Sequence, residues 1–510
     1  MTQPAPTEAT SGKRPGLFQN WLSLLGFIVA AGSFFAVICL ISIDFFSRFS
    51  NPYMGILTYF VAPIFLFIGI LLVVAGIVLE RRRLRQRKDM FAGLFPIIDL
   101  NRPLHRKVLG SFVGFASVFF LVTAILSYRS YHFTESVQFC GQTCHTVMKP
   151  EFTAYQNSPH ARVTCVQCHI GPGATWFVRS KLSGSYQVYA TMADNYPRPI
   201  PTPVKNLRPA QETCEQCHWP QKFYGSVERV NQHYMADETN TPWTVNLLMK
   251  VGGGDPSFGP IGGIHWHMNI ANKVEYIATD EARQKVAWIR FTDTQGNVSI
   301  YRDSAQPLTP EQIAASPLRR MDCIDCHNRP THIYNSPDRA ISLAMSTGRI
   351  DPAIPLIKKQ AIQVLTREYK TTDEALNAIE EQLNAYYQTQ RVRFAQQHPE
   401  SIKKAITEVQ KIYSSNFFPE MKVNWRTYPN NIGHTIFPGC FRCHDGKHAN
   451  EEGKPISHDC NACHTILTQG NGLKATQLSP QGLEFEHPTD IGDIWKEMNC
   501  FDCHNGALVQ

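Results

Sequence analysis

The stretch CGQTCHTVM, Cys140 to Met148, places two cysteines and a histidine in an order that six later stretches repeat. The first copy has three residues between its cysteines, whereas the later copies have two. The later copies are CVQCH (Cys165–His169), CEQCH (Cys214–His218), CIDCH (Cys323–His327), CFRCH (Cys440–His444), CNACH (Cys460–His464) and CFDCH (Cys500–His504). Cys-x-x-Cys-His is the attachment signal for c-type haem, whose iron is bound by the histidine.

Other cysteine chemistries fit these stretches poorly. Only Cys39 of the 15 cysteines lies outside them. Zinc sites, disulfides and thioredoxin-like pairs all use paired cysteines, but none explains a histidine directly after the second cysteine in every copy. We therefore predict seven covalently bound c-type haems, with His145 completing the first motif. The predicted attachment residues are Cys140, Cys144, Cys165, Cys168, Cys214, Cys217, Cys323, Cys326, Cys440, Cys443, Cys460, Cys463, Cys500 and Cys503.

Three apolar runs indicate a membrane anchor. Trp21–Ile43, Ile56–Leu79 and Val108–Tyr128 contain no charged residue, and each is long enough to cross a bilayer as a helix. None shows the polar face expected of a helix packed in a soluble core. The first run is too long for the apolar region of a signal peptide and lacks an obvious small-residue cleavage site, so we predict an uncleaved anchor.

The distribution of positive charge predicts the orientation. The loop from Glu80 to Lys107 carries nine Lys and Arg, whereas Asp44–Gly55 carries only Arg48. Because positive loops stay in the cytoplasm, the N-terminus and the basic loop are predicted inside, and everything after Tyr128 is predicted outside. This places the protein in a bacterial inner membrane with its haem region in the periplasm. The net charge of +7 thus reflects topology, and we expect no nucleic-acid partner.

The predicted fold class is a three-helix membrane anchor followed by a loop-rich, mainly α multihaem cytochrome c region with a small antiparallel β insert. KVAWIRFTDTQGNVSIYRD predicts a hairpin around its DTQGN turn, and TTDE predicts a threonine helix cap. In residues 129–220 the dense Pro and Gly predict loops and short helices only. The predicted regions are a cytoplasmic N-terminus (1–20), three spans (21–128) with the basic loop 80–107, a three-haem module (129–220), the β insert with the fourth haem (221–350), a helical arm (351–430) and a C-terminal three-haem cluster (431–510).

A low-spin electron-transfer haem needs two axial ligands, usually two histidines or a histidine and a methionine. The predicted proximal ligands, from the motifs themselves, are His169, His218, His327, His444, His464 and His504. The predicted distal ligands are His160, His265, His332, His434, His448, His458 and His487. We expect one ligand from His265 and His267, and at least two from His434, His448 and His458. The other histidines are an uncertain His233, a surface His398, a cytoplasmic His105, and His132 at the membrane edge, which could serve a haem or a quinol.

The stretch Cys140–His218 resembles the NapC/NirT/NrfH family of membrane-anchored quinol dehydrogenases, through a haem motif beside a membrane span, a histidine before the second motif, and KLSG beyond it. In that family the first haem stands by the quinol pocket, and a nearby methionine can replace the motif histidine as its axial ligand. Met148 matches that methionine, one residue later than usual.

The resemblance also implies a quinol site with a lysine and an acidic residue. Lys181 matches the lysine, but Gln187 stands where the carboxylate is expected. Glu151 and Glu135 are the alternative proton acceptors.

Three spans and seven haems are similar to the larger inner-membrane cytochromes of the ImcH type, implicated in respiration to extracellular acceptors. The resemblance thus implies oxidation of menaquinol and transfer of electrons to periplasmic c-type cytochromes or a reductase. Two alternatives stay open: a terminal reductase with an open haem for a nitrite-like oxyanion, and an electron-transfer subunit of a larger complex without its own quinol site. A homo-oligomer or a larger membrane complex is compatible with either.

Overall fold

A computed structural model describes residues 20–46, 62–86, 100–143, 145–171, 173–204, 207–253, 262–268, 272–472 and 477–508. The chain divides into two compact units, Met1–Phe139 with Ile170–Tyr186, and Cys140–His169 with Gln187–Gln510. Cys144, the side chains of His105 and His145, and most of the two loops that predict the orientation lie outside the described residues.

The described part of the chain is mainly helical. Its α-helices are α1 Trp21–Phe46, α2 Ala62–Gln86, α3 Pro103–Thr134, α4 His145–Gln156, α5 Cys165–His169, α6 Ala174–Met192, α7 Ala210–Thr213, α8 Pro310–Ala315, α9 Cys323–Cys326, α10 Pro337–Ser346, α11 Ile357–Leu365, α12 Thr372–Gln390, α13 Val392–Gln397, α14 Pro399–Asn416, α15 Ile494–Glu497 and α16 Cys500–Cys503. Its strands are β1 Val227–Tyr234, β2 Pro242–Met249, β3 Lys273–Ala278, β4 Val286–Thr292, β5 Val298–Asp303, β6 Arg319–Arg320, β7 His448–Ala449 and β8 His464–Gly470.

Helices α1 and α2 of the first unit pack closely through small residues. A Cβ on Gly26 would lie 2.6 Å from the Val73 nitrogen, and one on Gly69 would lie 2.5 Å from the Ala30 nitrogen. The Asn20 side chain also donates a hydrogen bond to the Gly76 carbonyl at 3.2 Å. Small residues and interhelical polar contacts of this kind are typical of packing between membrane helices.

The outer surface of this helix pair is apolar. Phe27 and Phe35 on α1 and Phe67 on α2 are each more than half exposed. Among the described residues, Trp21–Cys39 is long and apolar enough to cross a bilayer, and Ile64–Glu80 is a shorter apolar helix. Helices α1 and α3 therefore contain the first and third predicted runs, and α2 contains residues 62–79 of the second. Among the described residues, one of these helices meets the length and composition of a span.

Two antiparallel sheets lie in the second unit. One has the strand order β1-β2-β8 and the other β6-β3-β4-β5-β7. The predicted hairpin is confirmed as β4 and β5, joined by the turn Asp293–Asn297, in which the Asp293 amide donates to the Asn297 carbonyl at 3.0 Å. Gly296 has a φ of +86°, which glycine adopts without a steric cost.

The sheets also hold three of the haem motifs in place. Strand β6, just before the fourth motif, pairs with β3, and β7, just after the fifth motif, pairs with β5. Strand β8 begins at His464 of the sixth motif and pairs with β2. The sheets thus recruit short segments that the sequence did not predict as strands.

The main hydrophobic core of the second unit lies among helices α10 to α14, with Ile341, Ile379 and Leu383 fully buried. The predicted threonine cap is present, because Thr371 accepts a hydrogen bond from the Glu374 amide at 3.2 Å. This core also holds the segment after the seventh motif, since the Trp425 indole donates to the Asn505 carbonyl at 2.9 Å.

One prediction for residues 129–220 is wrong. Helix α6 runs for 19 residues, whereas only short helices were expected. The proline-rich stretch that favoured loops begins at Pro197, after α6 has ended, so its effect is confined to the segment that follows.

Candidate haem-binding sites

Each of the six regular motifs places its histidine opposite a second histidine. The separations of the ring centres lie between 5.9 and 6.3 Å. The pairs, in motif order, are His169 with His332, His218 with His160, His327 with His265, His444 with His267, His464 with His434, and His504 with His487.

This spacing fits an iron held between two imidazoles. A histidine nitrogen lies about 2 Å from a bound metal, so two axial imidazoles on one iron have ring centres about 6 Å apart. The residues present therefore fit the group that the motifs imply. Bound there, haem would supply one-electron redox chemistry.

The second nitrogen of most distal rings is held by a backbone carbonyl. The Nδ1 of His265 bonds to the Val251 carbonyl at 2.8 Å, and that of His332 to the Glu151 carbonyl at 3.1 Å. Corresponding bonds hold His160, His267 and His487. An Nδ1–H that donates to a carbonyl leaves Nε2 as the free acceptor, which is the usual arrangement of a metal-binding histidine.

Burial favours the neutral form that binds iron. Burial, with the nearby charges of Arg329 and His169, lowers the pKa of His332 to about 3. Burial and the neighbouring His464 lower the pKa of His434 to about 4. A histidine must be neutral to coordinate a metal, so these rings need no deprotonation at neutral pH.

The pairing crosses the order of the sequence at two motifs. His160 lies just before the second motif but faces His218 of the third, and His332 lies just after the fourth motif but faces His169 of the second. Nearness along the chain therefore does not identify which motif a distal histidine serves.

His267 was missed, because only one ligand was expected from His265 and His267. An extended chain would point both side chains to one face, but residues Ile264–Met268 form a 3₁₀ helix. The two rings therefore diverge and face different motifs. The number of histidines needed could have indicated His267, since each of the six regular motifs requires a distal histidine.

Two predicted distal ligands lie outside these pairs. His448 is buried, and both of its ring nitrogens are engaged, with the Asp445 carboxylate and the Val286 carbonyl, each at 2.9 Å. These two bonds favour a structural role for His448 over the predicted role as a ligand. His458 bonds through Nδ1 to the His444 carbonyl and packs on Phe441. Of the three histidines expected to supply two ligands here, only His434 faces a motif histidine.

The extra residue of the first motif changes its backbone. Phe139–Thr143 forms a single π-helical turn, a form frequent at functional sites, and α4 starts at His145. Gly141 packs against the ring of Phe152, where a Cβ would come within 2.1 Å of a ring carbon. Met148 is half-buried on α4, one turn beyond His145.

Lys181 on α6 forms an ion pair with Glu135, and both residues belong to the first unit. The side chain of Glu135 is 7% exposed and that of Lys181 is 37% exposed. Within the described part of the chain, the second carboxylate oxygen of Glu135, Oε2, is buried without a hydrogen-bond partner. The sequence alone could not select Glu135 from the three candidate proton acceptors, because Glu135 precedes Lys181 by 46 residues.

The other predicted acceptors have different surroundings. Gln187 is exposed on α6. Glu151 lies with Arg329 and Tyr334, and burial raises its pKa even though Arg329 opposes the shift. Its backbone carbonyl holds His332, so Glu151 belongs to the surroundings of the second motif.

Regular Cys-x-x-Cys-His motifs, each with two facing imidazoles, define a c-type cytochrome. A profile of the NapC/NirT cytochrome c family, N-terminal region, matches residues 102–199. The chain is 45% identical over 501 residues to the cytochrome c-type protein ImcH of Geobacter sulfurreducens, covering 98% of this chain and 97% of that protein. It is 26% identical over 152 residues to the cytochrome c-type protein TorC of Escherichia coli K12, covering 26% of this chain and 37% of TorC.

The chain therefore belongs to the NapC/NirT family of c-type cytochromes, whose members carry covalently bound haem and transfer electrons. No solved structure matches it.

Proposed function

We propose that this protein is a membrane-anchored seven-haem cytochrome that oxidises menaquinol and passes the electrons to periplasmic c-type cytochromes or a reductase. The observation that carries the proposal is the Lys181–Glu135 ion pair, since it lies in the family-matched segment together with the first two haem motifs. The three spans, the cytoplasmic N-terminus and the periplasmic haem region are part of this proposal.

The six facing histidine pairs are the proposed axial ligands of the second to seventh haems. Two strong imidazole ligands leave no open coordination position on those irons. This argues against a terminal reductase that works at any of these six sites, because such an enzyme needs an open position for its oxyanion.

Met148 is the proposed axial ligand of the first haem. Phe139–Thr143 forms a π-helical turn, and the motif histidine follows Cys140 by five residues, whereas it follows the first cysteine of every other motif by four. Methionine ligation raises the potential of a haem relative to two histidines, which suits a group that accepts electrons from quinol.

The Lys181–Glu135 pair is the proposed quinol-binding and proton-accepting group. Lys181 holds one carboxylate oxygen of Glu135, and the buried Oε2 faces no other donor among the described residues. A quinol hydroxyl placed there can donate a hydrogen bond to Oε2 and lose its proton to it when the quinol is oxidised. A buried carboxylate oxygen that accepts no hydrogen bond is costly, so Oε2 favours a bound hydroxyl.

The test compares two routes of reduction in the purified, haem-loaded protein. Glu135→Gln and Lys181→Met should each lower the rate of haem reduction by a menaquinol analogue at least about tenfold, while dithionite still reduces all of the haem. Arg179→Met is the matched control, because Arg179 is an exposed cation on the same helix that packs over Trp176. An unchanged rate of haem reduction by quinol in both the Glu135 and the Lys181 variants would exclude this site. A wild-type protein whose haems quinol cannot reduce would instead favour an electron-transfer subunit without its own quinol site.

A further inference from the structure

The attachment cysteines of successive motifs adjoin one another in the second unit. The side chains of Cys140 and Cys165, from the first and second motifs, lie within hydrogen-bonding distance, as do Cys214 and Cys323 from the third and fourth. A thioether sulfur sits on the rim of its porphyrin. Two adjoining sulfurs from different motifs therefore bring two porphyrin rims together.

The second and third motifs are joined in the same way. The side chain of Cys168 in the second motif lies near Cys214 and Cys217 of the third. His160, in the segment that leads into the second motif, faces His218 of the third. The segment that anchors one site therefore supplies the distal histidine of the next.

The fourth and fifth motifs share a more elaborate junction. Arg442 of the fifth motif donates to the carbonyl of Asp325 in the fourth at 2.7 Å. His265 faces His327 of the fourth motif and His267 faces His444 of the fifth, so one 3₁₀ turn serves both sites. Between them Trp266 packs against Phe291 with ring centres 4.9 Å apart, which fixes the turn on the five-stranded sheet.

The last two junctions follow the same order. His434, in the segment that leads into the fifth motif, faces His464 of the sixth. Gln469, on the strand β8 that begins at His464, donates to the Glu484 carbonyl at 2.6 Å and accepts from the Glu486 amide at 3.0 Å, which holds the segment of His487, the partner of His504 in the seventh motif. Each junction thus joins a motif to the next one along the chain.

We infer that the chain arranges its seven haem sites in single file in the order of the sequence, and that the segment Ile264–Met268 is a bridge holding the fourth and fifth sites together through two distal ligands. The inference rests on the proposed haem ligation and is independent of quinol oxidation. Electrons that enter at the first site then have one route, and the seventh site, near the C-terminus, is the exit.

Electron cryo-microscopy of the full-length, haem-loaded protein in detergent tests the order of the sites. We expect the iron atoms of the interior sites to have, as their two nearest neighbours, the irons of the preceding and following motifs. An iron whose nearest neighbour belongs to a motif two or more places away would overturn the single file. This readout does not depend on quinol, so it can succeed where the proposed function fails.

Ligand variants test the bridge. His265→Ala and His267→Ala should each convert about one-seventh of the haem to a high-spin form, and the double variant about two-sevenths, as measured by electron paramagnetic resonance. His398→Ala, an exposed histidine packed on Phe394, is the control and should change nothing. A double variant with no more high-spin haem than the single ones, or an unchanged His267→Ala spectrum, would contradict the bridge.

Should an alanine variant fail to accumulate, His267→Met keeps a ligand in place. It should raise the potential of one haem while the amount of low-spin haem stays that of the wild type, because methionine is a weaker donor than histidine but still occupies the ligand position. A redox titration in which no component moves would count against His267 as a ligand.

Discussion

The ring nitrogens of a histidine distinguish a ligand from a structural residue. His434 presents a half-buried ring to His464, with ring centres 6.2 Å apart, whereas His448 uses both nitrogens for hydrogen bonds. Both residues lie within ten positions of the fifth motif, so nearness in the sequence could not separate them.

We predict opposite spectra for variants of these two residues. His434→Gln should convert about one haem in seven from low-spin to high-spin, because the sixth site loses a nitrogen ligand. His448→Gln should leave the spectrum of the loaded protein unchanged. The measurement is visible and paramagnetic resonance spectroscopy at matched haem content, and a high-spin signal in His448→Gln would restore the original ligand prediction.

The His448–Asp445 pair should make stability depend on pH. Burial alone lowers the pKa of His448, but the hydrogen bonds to Asp445 and the Val286 carbonyl outweigh it and raise the pKa above its usual value. Burial likewise opposes the effect of His448 on Asp445, whose pKa is lowered. The histidine contribution is full below its unfolded pKa of about 6.5 and is lost as the pH rises through the folded value.

The aspartate contribution has the opposite sign. It is present above the unfolded pKa of about 3.9 and is lost as the pH falls through the lower folded value. The melting temperature of the wild type should therefore exceed that of His448→Gln most between about pH 4 and 6.5. An equal difference at pH 5 and pH 9 would show that the charge pair contributes nothing.

Residue chemistry alone predicted much of the haem region. Seven motifs and five of the six facing distal histidines were identified from residue types. The pairing was not, because His160 and His332 reach motifs distant in the sequence, and His267 depends on a turn that folding sets.

The π-helical turn Phe139–Thr143 shows how one extra residue alters an element. The turn accommodates the additional residue within the helix-like path, and Gly141 is needed because the Phe152 ring occupies the space of a side chain. The stretched motif is therefore a specific local fold.

We predict that Gly141→Ala perturbs the first site selectively. The new methyl group would meet the Phe152 ring at 2.1 Å, so the turn or α4 must move. Overpacking of this kind costs about 1–3 kcal/mol. The expected result is a changed potential or partial loss of one haem, measured by redox titration and haem content.

Gly110→Ala is the matched control, since nothing lies within 4 Å of a Cβ at Gly110 in α3. Equal effects of the two substitutions would show that crowding at Phe152 is unimportant. If the double variant Gly141→Ala, Phe152→Leu regains the wild-type potential and haem content, crowding at Phe152 is the cause.

Elements with a strong local signal were predicted, and elements made by distant partners were not. The β4–β5 hairpin and the cap at Thr371 follow from turn and capping residues. The two-residue strands β6 and β7 exist only because β3 and β5 offer them an edge. A segment of two residues contains too little sequence pattern to predict that it will pair as a strand.

The second unit combines one apolar helical core with a region built around the motifs. Helices α10 to α14 bury residues such as Ile357 and Val409 completely or almost so, while most attachment cysteines are only partly covered by protein. Porphyrins at the predicted sites would supply the missing apolar mass. The region expected to be a helical arm therefore contributes the main protein core.

The proposed orientation of the chain rests on the charge of the basic loop 80–107, and reporter fusions can test it. Alkaline phosphatase folds into an active enzyme only in the periplasm, so a fusion at the C-terminus should be active and one after Met90 inactive. Green fluorescent protein, which fluoresces when folded in the cytoplasm, should give the reverse pattern at the same two points. An active phosphatase after Met90 would place the nine basic residues outside and would separate the haem motifs from the compartment in which c-type haem is attached. The prediction of three spans and the prediction of covalent haem therefore depend on each other, because covalent haem at the C-terminal motifs requires this part of the chain to cross the membrane.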